Sequence, residues 1–256
     1  MVKIANIISI IEEFAPLSLQ ANFDNCGLKL GNPQDNLTGI MVTLDTNYDV
    51  VSEAIEKQCN LIIEHHPSIF TPIKKLDFSI PSTKAMQLAI KNDIALYSAH
   101  TNVDFCLNGL NDYVAMQIGL KNIYYNAIEQ PRIGYLENTT TLKDYAELLK
   151  TIFEDNNITT IGNLNKTIKK VAVVNGGGGS DISDLIIAME CGADVFVTGD
   201  IKYHVARFAK DSNYAIINIG HYNSEQGFMN LILELLQKHC NSIPIYKTTK
   251  LTNPYN

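Results

Sequence analysis

Three short stretches of the chain concentrate side chains that bind divalent transition metals. Glu64-His65-His66-Pro67 and His100-Thr101-Asn102-Val103-Asp104 lie in the first half, and His221-Tyr222-Asn223-Ser224-Glu225 in the second; together they hold four of the six histidines. Imidazole nitrogen and carboxylate oxygen form a mixed donor set without thiolate, which suits Zn, Mn, Fe or Ni alike. An isolated histidine is most often an ordinary core or surface residue. His239 is read that way, as a helix-end side chain near the terminal carbonyls. Clustering reverses the balance for the others.

Adjacent imidazoles on a strand point to opposite faces. His65 and His66 therefore serve one ion poorly, unless the strand has already ended or each serves a different ion. Pro67 favours an ended strand. His221 and Glu225 are four residues apart, as are His100 and Asp104, and share a helical face if a helix opens at each histidine. The plausible ligands are His65, His66, His100, Asp104, His221 and Glu225. Six exceed the three or four that one zinc-like ion takes from protein and fit two ions bridged by a carboxylate. Such ions, about 3.5–4 Å apart, lower the pKa of a bridging water and supply hydroxide at neutral pH.

The elements that position these residues follow a repeating order. Gly39–Leu44 reads as a strand, residues 48–57 as a helix, Leu61–Ile63 as a strand, residues 83–92 as a helix and Ile94–Ser98 as a strand. The second half repeats this as strand Val171–Val174, helix Ile182–Cys191, strand Val195–Thr198, helix Tyr203–Lys210 and strand Ala215–Ile219. Strand–helix alternation at this spacing implies an α/β protein with mixed, mostly parallel sheets. The stretch from Cys59 to His66 lies over that from Ala193 to Asp200, and Ala95–Asp104 over Ile216–Glu225. The offset falls from 134 to 121, so the 13 residues of difference read as an inserted loop near Ser68–Pro81. Two intertwined, duplicated repeats are expected, residues 1–128 and 129–256, each ending a strand in H-x-N-x-(D/E). Residues 130–165 add a strand (Arg132–Leu136) and a helix (Leu142–Phe153). A final helix (Glu225–His239) and strand (Ile243–Tyr246) pack back on the first repeat. All three metal-type stretches follow strands, where sites gather in α/β sheets.

Two further segments keep two readings each. Asn175-Gly176-Gly177-Gly178-Gly179-Ser180-Asp181 joins a strand to a helix. It is either an anion site of free backbone N–H groups or a flexible turn with Ser180 or Asp181 as the helix cap. It lacks the Walker lysine and a full G-x-G-x-x-G context. In Thr198–His204, Asp200, Lys202 and His204 line a pocket, or Asp200 caps a helix.

Composition narrows the class. Hydrophobic residues make up 46% and charged residues 18%, enough apolar surface for a packed core. The net charge of −7 disfavours nonspecific nucleic-acid binding. Five dispersed cysteines, without a CxxC pair, imply neither a disulfide framework nor a thiolate zinc site. The opening MVKIANIISIIEEFAP reads as an amphipathic helix and not a signal peptide. No apolar run reaches the roughly 18 residues of a membrane span. A cytoplasmic protein is expected.

Taken together, these motifs resemble the family of GTP cyclohydrolase 1 type 2 homologues, also called nif-three-like. The resemblance spans nearly the whole chain: Asp24-Asn25-Cys26-Gly27-Leu28, the LDTNYDVVSEAIEKQCNLIIEHHP block, His100–Asp104, Thr198–His204 and His221–Glu225. It implies two divalent metal ions per subunit, held by His65, His66, Asp104, His221 and a bridging Glu225, with His100 a neighbouring proton carrier. It also implies a toroidal homohexamer and hydrolysis of a small substrate such as GTP, although a non-enzymatic metal store, chaperone or scaffold would use the same ligands. Phe23 stands where the family usually has tryptophan, and the extra domain of longer members is absent.

Overall fold

The computed structural model describes residues 1–240 and 242–255. The chain divides into two compact units, one of Met1–Cys106 with Phe228–Asn256 and one of Leu107–Gly227. It leaves the first unit two residues after Asp104 and the second two residues after Glu225. The H-x-N-x-(D/E) motifs thus stand immediately before both crossings. Residues 107–128 fall within the second unit and residues 228–256 within the first.

The first unit begins with helix α1 (Ile4–Phe14), which buries Ile4, Ile7 and Ile11 on one stripe. Strands β1 (Gly27–Leu30) and β2 (Ile40–Thr43), helix α2 (Tyr48–Glu56), strand β3 (Leu61–Glu64), helix α3 (Pro81–Lys91), strand β4 (Ala95–Ser98) and helix α4 (Thr101–Phe105) follow. Strands β2, β3 and β4 are buried at every position, as continuous apolar runs require when both sheet faces are covered. Helix α2 starts where the Asn47 side chain accepts the Val50 N–H at 2.9 Å.

The second unit contains helix α5 (Leu110–Gln117), strands β5 (Lys121–Tyr124) and β6 (Arg132–Thr141), helix α6 (Leu142–Phe153), and strands β7 (Thr159–Ile161) and β8 (Thr167–Val174). A 3₁₀ turn (Gly176–Ser180), helix α7 (Ile182–Glu190), strand β9 (Val195–Thr198), helix α8 (Tyr203–Asp211), strand β10 (Ala215–Asn218) and helix α9 (His221–Glu225) complete it. Alternation along its central strands divides the core: Val171, Val173, Val195 and Val197 face one cluster with Leu149 and Phe153. Ala172, Val174 and Phe196 face another with Leu185 and Val205. Helix α10 (Phe228–His239) and strand β11 (Ile245–Lys247) return to the first unit.

The sheets run β1-β4-β3-β2-β11 and β5-β6-β8-β9-β10-β7. Among the described residues five of the nine pairings are parallel, including β2–β3–β4 and β8–β9–β10, and the antiparallel pairings involve the edge strands β1, β5 and β7 and the strand β6 beside β5. The fold is therefore α/β with two mixed sheets built around duplicated parallel centres. Glu64 pairs with Ser98 at the carboxyl end of one centre, and Thr198 with Asn218 at the equivalent end of the other. The insertion is present: residues 65–80 separate β3 from α3, whereas only 199–202 separate β9 from α8. The expected final helix begins at Phe228, since Glu225 ends the short helix α9 before it. Gly227 separates them, with its backbone so near Tyr113 that an added Cβ would lie 2.4 Å from the ring. Among the described residues no helix is long and apolar enough to cross a membrane.

Candidate metal centre

Strand ends place the functional side chains in each unit. Asp45, His66, His100 and Asp200 each stand two residues beyond the carboxyl end of a parallel strand. In the first unit, β3 ends at Glu64, so His65 and His66 are off the strand and escape the alternation that would separate them. Their rings lie 5.0 Å apart, and His100 packs edge-on to His65 at 5.1 Å. Ligand atoms of His65, His66 and His100 all fall within 4.8 Å of one another, close enough to hold one ion. Helix α4 brings Asp104 to the same place, its Oδ1 3.6 Å from His65 Nε2. Glu64 is buried but serves the framework, since its Oε1 accepts hydrogen bonds from Ser68 N, Ser68 Oγ and Ser98 Oγ.

In the second unit, α9 opens at His221, and its one-turn spacing sets His221 Nε2 2.9 Å from Glu225 Oε2. Asp200 Oδ2 lies 2.7 Å from His221 Nδ1. The glycine-rich turn borders this set. Gly176, with φ +53°, passes so close that a Cβ there would sit 2.0 Å from Glu225 Oε1. Gly199, the counterpart of His65, would place a Cβ 2.5 Å from Ser224 Oγ and 2.6 Å from the Gly176 carbonyl oxygen. The packed turn leaves no room for a second imidazole pair. Gly176 N donates to Ser224 Oγ (2.9 Å) and Gly178 N to the Asn175 carbonyl (3.3 Å), so two of the amides considered for an anion already serve the fold. Asp181, and not Ser180, caps α7, accepting the Ser183 N–H at 2.9 Å.

The shared asparagines of H-x-N-x-(D/E) anchor backbone. Asn102 Nδ2 donates to the Ala15 carbonyl, and Asn223 Nδ2 to the Ile219 carbonyl and Asp155. Of Asp200, Lys202 and His204, only Asp200 has a hydrogen bond to the candidate set; Lys202 precedes α8, and both it and His204 are exposed. His239 is the exposed last residue of α10.

One feature unites all four clustered histidines. His65 Nδ1 donates to the Ala99 carbonyl oxygen (2.9 Å), His66 Nδ1 to Asp45 (2.9 Å), His100 Nδ1 to Asp24 (2.9 Å) and His221 Nδ1 to Asp200 (2.7 Å). The acceptor chemistry assigns these tautomers, because a carbonyl or ionised carboxylate can only accept. Asp24 is ionised: burial alone would raise its pKa, but hydrogen bonds from His100, Thr101 and Cys26 hold it well below the usual carboxylate range. Burial, with the Asp24 charge adding to it, pushes the neighbouring Cys26 thiol up to about 12. A neutral imidazole tied at Nδ1 directs the lone pair of Nε2 outward. Metal-binding histidines are oriented by the same arrangement. Two of those Nε2 atoms face a carboxylate oxygen, of Asp104 and Glu225, and two lone-pair atoms repel unless a cation or proton lies between them. The donor set fits a divalent ion. Distance along the chain does not reveal the partner of His100, because Asp24 is 76 residues from it; Asp45 and Asp200 are marked only by their shared position two residues past a strand.

Without metal, a proton takes that place beside His221. Burial opposes the imidazolium, but hydrogen bonds and charges from Asp200 and Glu225 outweigh it and raise its pKa from 6.5 to about 10. A raised folded-state pKa means that this contribution to metal-free stability is complete below about pH 6.5 and is lost as pH rises through about 10. Metal loading at pH 8 should accordingly release about one proton from His221. Calorimetry in buffers of different ionisation enthalpy measures it; zero release would show that the ion does not displace the His221 proton.

Comparisons with known proteins agree with this architecture. The profile of the family described as Duf34/NIF3 (NGG1p interacting factor 3) matches residues 2–254. The GTP cyclohydrolase 1 type 2 homolog of Clostridium acetobutylicum is 36% identical over 231 residues, covering 87% of this chain and 85% of that protein. The homolog of the same description from Lactococcus lactis is 34% identical over 258 residues, covering 99% and 98%. The crystal structure of Staphylococcus aureus hypothetical protein SA1388 superposes with a TM-score of 0.91 at 29% identity, covering 99% of this chain and 98% of that one. On these grounds the chain belongs to the DUF34/NIF3 family.

Proposed function

We propose that the chain is a metal-dependent hydrolase of a nucleotide or another small phosphorylated or heterocyclic substrate. The observation that carries this reading is the set of four imidazoles tied at Nδ1 to oxygens, with Nε2 of His65 and of His221 facing carboxylates. On this reading His65, His66, Asp104, His221 and Glu225 would hold two divalent ions. When bound, the ions supply Lewis acidity and a hydroxide nucleophile at neutral pH.

The residues around them prepare the chemistry. The Ala99 carbonyl, Asp45 and Asp200 fix the tautomers of the ligand histidines. The buried Phe228 ring, 4.7 Å from the His65 ring, keeps water from one side of that imidazole. His100, held by Asp24, carries the proton. The description shared by the relatives supports GTP as the first substrate to try. Opening its imidazole ring joins the water oxygen to C8, breaks the C8–N9 bond and delivers a proton to N9. The reading extends to a homohexameric ring, which light scattering would detect as six times 28.4 kDa.

His100→Asn tests the proton role. Turnover should fall by about 10²–10⁴-fold with both metals retained. Loss of metal with the imidazole would make His100 a ligand, as its place in the histidine triad allows. Unchanged metal and turnover would remove His100 from the reaction, whereas bound metal with no turnover in the parent chain would favour a metal store or scaffold.

A further inference from the structure

Two aromatic rings stand in the open beside the histidine triad. Phe23 is 70% exposed and Phe70 is 45% exposed. Their centroids are 6.4 Å apart with the planes tilted by 51°, and Phe70 meets the His100 ring edge-on at 6.3 Å. Neither ring is on a loose segment. Phe23 directly precedes Asp24, whose carboxylate is bonded to His100 and to the Thr101 amide. Asn25 Nδ2 donates to the Ile69 carbonyl oxygen at 2.6 Å, tying the segment that carries Phe70 to the one that carries Phe23. Ser68 fastens the same segment to Glu64 through its amide and hydroxyl.

Large aromatic side chains are normally drawn into the core, so two fixed in solvent next to three imidazoles require an explanation. Residues this exposed leave ring surface in solvent, and with the planes tilted by 51° one ring can stack on a flat heterocycle while the other meets its edge; base–aromatic stacking needs a π-surface and no particular edge pattern. We propose that Phe23 and Phe70 form a stacking platform for a bicyclic heterocycle of purine size, presenting its ring to His100 and the metal ligands. The inference rests on the hydrolase reading for the chemistry that follows, but binding can be read without turnover. It specifies the substrate class as a purine nucleoside or nucleotide, recognised by its base. Phe23 and Phe70 are binding residues and take no part in proton transfer.

The chain contains no tryptophan, so Phe23→Trp introduces a single indole reporter at the platform. Metal-loaded Phe23→Trp protein is titrated with guanosine, GTP and ribose 5-phosphate. Guanosine and GTP should quench the emission saturably, and ribose 5-phosphate should not. Adding Phe70→Ala should raise the half-saturating guanosine concentration about tenfold with metal content unchanged. Phe70→Leu, which keeps apolar volume without a π-face, should do the same. Absence of guanosine quenching, equal quenching by ribose 5-phosphate, or guanosine binding unaffected by Phe70→Ala would overturn the inference. A change in assembly mass on Phe70→Ala would also overturn it, assigning the rings to contacts between chains. The two readings fail separately. Guanosine binding without GTP ring opening removes GTP as the hydrolysed substrate and leaves the platform, whereas ring opening with an unchanged KM in Phe70→Ala removes the platform alone.

Discussion

Glu225→Ala should abolish metal-dependent turnover and weaken metal binding by well over 100-fold. Removing a group that only orients a ligand histidine typically costs 10–100-fold in affinity. Glu225 is placed to do more than orient: its Oε2 lies 2.9 Å from His221 Nε2, and the residue is 2% exposed. The substitution removes a candidate ligand and also the charge that helps raise the His221 pKa. Glu225→Gln separates the contributions. It keeps size and hydrogen bonding but loses the negative charge, so it too should lose metal by elemental analysis. Full metal occupancy in the Gln variant would make Glu225 a hydrogen-bonding partner of His221 and no ligand.

Gly176→Ala should match that loss of metal without replacing a candidate ligand. One methyl group there would sit 2.0 Å from Glu225 Oε1 and 3.4 Å from His221 Nε2, so the carboxylate must swing away. The positive φ of +53° adds about 1–2 kcal/mol for a residue with a Cβ. Melting and metal content should therefore diverge: a modest fall in Tm with far-UV circular dichroism intact, but a metal loss comparable with that of Glu225→Ala. A fully metallated Gly176→Ala protein would show that Glu225 need not hold its observed position. Gly178→Ala is a useful contrast. Its Cβ would meet Val174 at 1.9 Å and not a candidate ligand, so it should reduce Tm more than metal content.

Strands β3, β4 and β9 were legible because continuous apolar runs have few alternatives when bounded by turns, and β9 lies where the sequence reading puts it. Helix α5 was not legible. It buries Asn111 and Asp112, whose polarity breaks the apolar stripe, because Asn111 accepts the Asn175 N–H and Asp112 pairs with the buried Arg132 at 2.6 Å. Strands β1 and β7 are short edges completed by pairing with distant strands. The candidate ligands were legible from residue type and one-turn spacing. Their orientation was not, because Asp24 and Asp45 reach their histidines only through the tertiary fold. A usable signal was present, however: Asp45 and Asp200 both stand two residues past a parallel strand, the same position as His66 and His100. The repeat also explains its own imperfection, since Gly199 stands where His65 does because the Gly176 turn packs against it.

The most direct measurement of the central claim is elemental analysis of the purified chain, followed by GTP turnover with the recovered metal added back to stripped protein. Close to two ions per chain, with ring opening restored by that metal, is the predicted result. One ion or none per chain, or two ions with no turnover of GTP or of other purine nucleotides, would contradict it.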